Sequence, residues 1–345
     1  MRNGGLPIGQ EQVILLVMKS FRTELQVKTS TIQIRYNMPV FTIGSCFAES
    51  IGKRLMNNKF IVSANPFGTL YNPVSIHKVL LYALHNELPQ PTTYIKNQEI
   101  WCNYEFHSSL SDVTKGQLEK KISNAIGTAH HFLKDADTLI ITYGTAKVYE
   151  QVDTGEPVAN CHKMPAWNFT SQILAPEKIT ESFEILFEKL KKWKPGIKIM
   201  LTVSPVRHIK DTPEFNSVSK SALRWACHAI QERCPSVEYF PAYEIMMDDL
   251  RDYRFYGADM IHPSGEAMDY IWEKFSDAYF NASTKALMKQ WQEVSAALHH
   301  RPFHPKSAAH KKFLNETLRK LEELKTLIPV KEEIAHIRSQ LPKTA

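Results

Sequence analysis

Apolar residues along this chain fall into two kinds of run that alternate from end to end. The first kind is short and nearly continuous: 39–43 ahead of Gly44, 60–62, 137–144, 197–203 and 237–240. Runs this dense predict strands, the longer ones buried on both faces of a parallel sheet. The second kind recurs every three or four residues and predicts amphipathic helices. One begins at Phe47, Ile51 and Leu55, and the next opens at Pro73 with Val74, His77, Leu80, Leu81 and Leu84. Others cover Leu118–Leu133, 183–193 and 222–233. Two weaker patterns accompany them. Ile32 and Ile34 alternate with polar neighbours, which predicts an edge strand over 31–35, and the aromatic-rich stretch 92–110 predicts a hairpin laid over the sheet. Strand and helix in alternation specify a three-layer α/β/α sandwich with a mostly parallel, flavodoxin-like sheet.

The pattern changes after residue 282. Leu287, Trp291, Val294 and Leu298, then Leu314, Leu318, Leu321, Leu324 and Leu327, have helical spacing among many Glu and Lys. The expected organisation is therefore a loose extension over 1–17, with Met18 a plausible start, an α/β domain over 18–282, and a helical appendage over 283–345. That appendage packs on the domain or serves as an oligomerisation surface, and the domain is expected to fold without it.

Composition narrows the function classes. The 345 residues are 43% hydrophobic and 23% charged, ordinary for a globular protein. Of the net charge of +6, residues 301–345 supply +5, from ten Lys/Arg against five Asp/Glu. The rest is nearly neutral, which argues against a nucleic-acid groove. Five scattered cysteines with no C-x-x-C pair give neither a disulfide framework nor a zinc ribbon, and fit a cytoplasmic protein. No apolar run approaches the roughly 20 residues of a membrane span. No cofactor motif is present.

Ligands of a doubly wound sheet bind beyond the carboxyl ends of its strands. Five segments converge there: Gly44-Ser45-Cys46, the Asn65–Gly68 loop, Tyr143-Gly144-Thr145, Ser204–His208, and 253–264 with Asp259 and His262. A nucleophile after the first strand, with an Asp-x-x-His pair before the last core helix, is the base-and-orienter arrangement of acyl transfer. The plainer reading makes Ser45 a helix cap and Cys46 a small buried hydrophobe. Arg207 and His208 are candidates for binding an anionic group, or for an ion pair with Asp248, Asp249 or Asp252. Tyr253, Phe255 and Tyr256 are expected in the core.

The string Gly44-Ser45-Cys46-Phe47-Ala48 resembles the signature of the GSCFA domain family, grouped with the SGNH (GDSL-like) hydrolases. Asn160-Cys161-His162-Lys163, the 202–208 run and the blocks from Tyr239 to Ser264 are also similar to that family. The resemblance implies a hydrolase or O-acetyltransferase acting on esters, carbohydrate O-acyl groups among them, without a cofactor. A catalytically degenerate binding or scaffold protein of the same fold is the alternative. It places Cys46, or Ser45 by a shift of one, at the nucleophile, Gly68 as an oxyanion donor, and Asp259 with His262 as the pair. The third block departs from the superfamily: Gly144-Thr145-Ala146-Lys147 has no asparagine where one would donate to the oxyanion. Either Asn160, His162 or another nearby donor substitutes, or the oxyanion hole rests on backbone N–H groups alone. Asn65 is a further oxyanion or substrate-binding candidate, and losing one such donor costs roughly 100- to 1000-fold in turnover. A thiol at a helix N-terminus beside an imidazole is expected to have a lowered pKa.

Overall fold

The computed structural model describes residues 23–341. A wholly parallel five-stranded sheet forms its centre. The strands are β1 (Val40–Gly44), β2 (Val62–Ala64), β3 (Thr138–Tyr143), β4 (Lys198–Val203) and β5 (Val237–Tyr239), in the order β2-β1-β3-β4-β5. Strand order reverses between β1 and β3, so the crevice beyond their carboxyl ends is the topological switch point. Register sets Gly44 opposite Thr142, bringing the two strand ends level.

Alternation along each strand sorts the core into two layers. Phe41 and Ile43, Leu139, Ile141 and Tyr143, and Ile199, Leu201 and Val203 face one side. There they meet α2 (Pro73–His85), α3 (Lys115–Asp135), α4 (Pro176–Trp193) and α5 (Pro213–Arg233). Val40, Ile140 and Met200 face the other side, against α1 (Cys46–Asn57) and α6 (Gly265–Tyr279). Polar side chains start the helices where the sequence changes period: Asn72 accepts from Ser75 N ahead of Pro73, and Ser264 accepts from Ala267 N ahead of α6.

The segments after residue 282 form α7 (Ala282–Leu298), α8 (Ala308–Leu324) and α9 (Lys331–Gln340). Trp291, Val294, Leu314, Leu321, Leu324, Ile334 and Ile337 are buried in the same cluster as Phe47, Ile51 and Leu55 of α1. Lys59, just past α1, pairs with Glu333 and lies over the Trp291 ring. These helices therefore pack on the α/β domain behind α1.

One local expectation changes. Residues 31–35 are extended but do not form a strand. Ile34 N donates to Tyr279 O and Ser30 N to Ala278 O, both at 2.9 Å, because the end of α6, with its open carbonyls, lies where a partner strand would be. The hairpin exists as Tyr94–Asn97 against Ile100–Asn103. A further antiparallel sheet of Lys147–Gln151, Pro157–Val158 and Phe169–Ile173 has no counterpart in the sequence reading. The extension expected over 1–17 lies outside the described residues. Among the described residues no helix is long and apolar enough to cross a membrane.

Candidate active site

The turn between β1 and α1 is fixed from three sides. Gly44 takes φ +131°, and a Cβ there would run into the Thr142 carbonyl, so only glycine fits. Ser45 N donates to Thr142 O at 3.1 Å. Asn65, itself at φ +44°, closes the turn: its Oδ1 accepts from Gly44 N at 2.9 Å, and its Nδ2 donates to Gly44 O at 3.2 Å.

Ser45 and Cys46 differ sharply in access. Ser45 is fully buried, and its Oγ accepts from Phe47 N as the cap of α1. Cys46 is partly exposed at the first turn of the helix. Its thiol does not have the expected acidity. Burial raises its pKa above that of a free thiol, outweighing the pull of the Cys46 and Phe47 N–H groups and of Lys220, while Glu49 pushes it further up. The helix terminus acts as expected, but desolvation of the thiolate is the larger effect.

Asp259 and His262 form the anticipated pair in the loop ahead of α6. Asp259 Oδ2 accepts from His262 Nδ1 at 2.7 Å, and its Oδ1 accepts from Ile261 N and His262 N at 2.9 and 3.0 Å. The backbone N–H of His262 is the largest influence holding the carboxyl down at about 2. Nδ1 being the donor, Nε2 is left as the basic nitrogen, and it makes no hydrogen bond to a described residue. No hydrogen bond joins His262 to Ser45 or Cys46 among the described residues. The two are linked through intermediates. His208 is lowered to about 3, mainly by burial and then by the charges of Lys220 and His262, and Lys220 in turn feels the charge of Cys46. Tyr71, whose hydroxyl also feels Cys46, meets the His208 ring edge-on at 5.3 Å.

Arg207 ties its own loop to the Asp259 loop. Its N donates to Ile261 O and its Nη1 to Met260 O, at 3.0 and 3.1 Å, and its guanidinium lies over the Tyr253 and Tyr256 rings. The expected ion pair with Asp248, Asp249 or Asp252 is not formed. Tyr253 is two-thirds exposed rather than in the core. With Met246, Met247 and Arg251 these residues line a cleft of about 240 Å³ beside the pair.

The remaining expected donors are engaged elsewhere. Gly68 takes φ +76° in a turn whose N–H donates to Asn65 O at 2.8 Å. Gly144 N and Thr145 N both donate to Tyr71 O, and Thr145 Oγ1 bonds Ser219 Oγ. Asn160 bonds Ser108 Oγ and His162 N, while His162 is buried with its Nε2 on Asn103 O at 2.7 Å. None of these side-chain or glycine donors is left unspent toward Cys46. The residue that sequence reasoning missed is Lys220 of α5, buried beneath Gly144 with its ammonium on that carbonyl. One signal marks it: Lys220 stands three and seven residues before Leu223 and Cys227, on the apolar stripe of α5.

Comparison with known proteins gives the family. No curated protein matches the chain. A Streptococcus pneumonia protein named as a candidate platelet activating factor is 13% identical, with a TM-score of 0.35, over 71% of this chain and 84% of that one. The acetyl xylan esterase Est2A of the rumen bacterium Butyrivibrio proteoclasticus is 12% identical, with a TM-score of 0.33, over 76% and 66%. Residues 291–343 match the C-terminal domain of GSCFA domain proteins. The GSCFA family itself matches residues 39–275, from the first strand to the last core helix, and the chain belongs to that family.

Proposed function

We propose that this protein is an acyl-transfer enzyme of the SGNH type, an ester hydrolase or O-acetyltransferase, with Cys46 as nucleophile. The observation that carries the reading is the Asp259–His262 pair at 2.7 Å, with Nε2 left basic, in a loop tied to the carboxyl end of β4 through Arg207. His262 Nε2 takes the Cys46 proton, and Sγ attacks the acyl carbonyl to form a C–S bond. The backbone N–H of Cys46 is the donor nearest the developing oxyanion, since that of Phe47 is held by the Ser45 cap. As the C–O bond breaks, the imidazolium returns its proton to the leaving alkoxide, and Asp259 holds the ring throughout. Water or an alcohol then takes the acyl group by the same steps in reverse. The cleft of Arg207, Tyr253 and Tyr256 suits the alcohol portion of the ester, because exposed aromatic faces stack on sugar or aromatic rings.

One observation favours the alternative of a binding protein: Asn65, Gly68, Asn160 and His162 are spent in turns and loops, so the oxyanion would rest on backbone N–H groups alone. Trapping decides between them. Incubation with a panel of activated acetyl and aryl esters should add one acyl mass to Cys46, and His262→Ala should abolish it. No acyl adduct on any residue across the panel would leave the binding reading.

A further inference from the structure

Lys220 is 1% exposed, and its Nζ donates to Gly144 O and Ser204 O, both at 2.7 Å. These carbonyls are the first beyond the ends of β3 and β4, so one ammonium joins the two strand ends that floor the crevice. An ammonium carries three donors, and two are used here. Nζ also lies over the Tyr243 ring, 5.8 Å from its centroid, but a neutral amide would satisfy the same two carbonyls at a smaller desolvation cost, and a ring face supplies no formal counter-charge. No carboxylate pairs with Lys220 among the described residues. Gly144, whose carbonyl the ammonium holds, lies two residues past Thr142, whose carbonyl fixes Ser45 beside Cys46. Lys220 and the Cys46 thiol therefore meet the same β1–β3 switch point, and each feels the other's charge.

We propose that Lys220 is a positioning residue of the Cys46 site: held against the Gly144 and Ser204 carbonyls, its ammonium is the counter-charge of the Cys46 thiolate and of anions formed there. The part concerning anionic intermediates rests on the acyl-transfer reading; the coupling to the thiol does not. The other titratable groups facing the pair are Glu49 on α1, Tyr71 in the loop before α2, Tyr243 after β5, His208 after β4, and through it His262. Glu49 opposes the thiolate, while Tyr71 and His208 are neutral near pH 7. Burial lowers Lys220 to about 7, so its charge is present below that pH and fades above it. Thiol with amine and thiolate with ammonium carry the same net charge, so the pair titrates as a unit.

The test is the initial rate of Cys46 alkylation by iodoacetamide, followed by mass spectrometry from about pH 5 to about pH 9. The wild type should show an inflection near pH 7, and His262→Ala should keep it. Lys220→Met should lose it and react about tenfold more slowly on the acid side, the change expected for one unit in thiol pKa. Lys220→Arg, charged throughout, should keep the faster rate without the inflection. A Lys220→Met profile superimposed on the wild type overturns the proposal. If the Lys220 variants do not fold, the inflection decides: present in wild type and His262→Ala it supports the coupling, absent from either it refutes it. Alkylation needs no turnover. A protein inert to every ester that still shows this profile would refute acyl transfer and leave the counter-charge standing.

Discussion

The indole Nε1 of Trp291 donates to the backbone carbonyl of Asn57 at 2.7 Å, fastening α7 to the carboxyl end of the helix that begins with Cys46. Trp291 is buried, and its ring sits in the cluster that also holds Leu55 and Leu324. Trp291→Ala removes the contact and leaves a cavity, a change that costs about 3–5 kcal/mol in well-packed sites. Urea unfolding should show that loss in a single transition for the full chain. Truncation after residue 282 should expose the back of α1 and broaden or abolish the transition; a sharp transition of unchanged midpoint in the truncated protein would show that the tail is merely attached.

Acid should destabilise the protein from about pH 6.5 downward. His77 is fully buried between Tyr143 OH at 2.7 Å and Ser182 Oγ at 2.9 Å, and burial lowers it to about 3. His208 is lowered to about 3 as well. Between about pH 3 and the unfolded value of about 6.5, the unfolded chain binds protons that the folded chain does not, so stability falls with pH across that window. Asp259 has the opposite chemistry but the same sign: its stabilisation is complete above about pH 4 and lost as pH falls toward 2. Urea midpoints measured across the range check this, and His77→Gln should flatten the slope. A stability constant from pH 7 to pH 4 would contradict the buried neutral imidazoles.

Ser45→Ala and Cys46→Ala separate cap from nucleophile. The first should cost about 1 kcal/mol through loss of the cap to Phe47 N, and should leave acyl trapping measurable. The second should leave stability nearly unchanged and abolish the adduct. The reverse outcome, read by the same mass spectrometry and unfolding curves, would make this a serine enzyme with Ser45 exposed by movement of the turn.

Gly44→Ala should give little folded protein. Its Cβ would collide with the Thr142 carbonyl, whose backbone is held in the centre of the sheet, at a φ of +131° that L residues rarely adopt. Soluble yield and near-ultraviolet circular dichroism report the outcome. A folded variant would require β1 and β3 to separate locally.

The layered core was legible because each strand and core helix carries its own period. Thr138–Tyr143 is apolar on both faces, and α3 shows Leu118, Ile122, Ile126 and Leu133 on one stripe. What an amphipathic stripe packs against is not encoded locally, so the sequence left open that α7 to α9 pack behind α1. The sheet of Lys147–Gln151 and Phe169–Ile173 escaped notice because most of its side chains face solvent and no apolar alternation marks it. At the site, Asp259 and His262 were readable because three residues of sequence determine their contact. The fates of Asn65, Asn160 and His162 were not, since an amide or imidazole of the right type gives no sign of which carbonyl has already claimed it. Lys220 was hidden by its own residue type, which composition assigns to the surface.

The half-buried position of Cys46 also bears on how long the thiol survives. Peroxide and stray electrophiles consume thiolates, and a sulfur kept protonated by its surroundings offers them little to attack. The three buried cysteines, Cys102, Cys227 and Cys234, are shielded largely by access. Cys46 combines partial exposure with a thiol that burial keeps protonated. Oxidative inactivation should therefore be slow for an exposed cysteine, and its rate should climb with alkalinity rather than with oxidant strength alone.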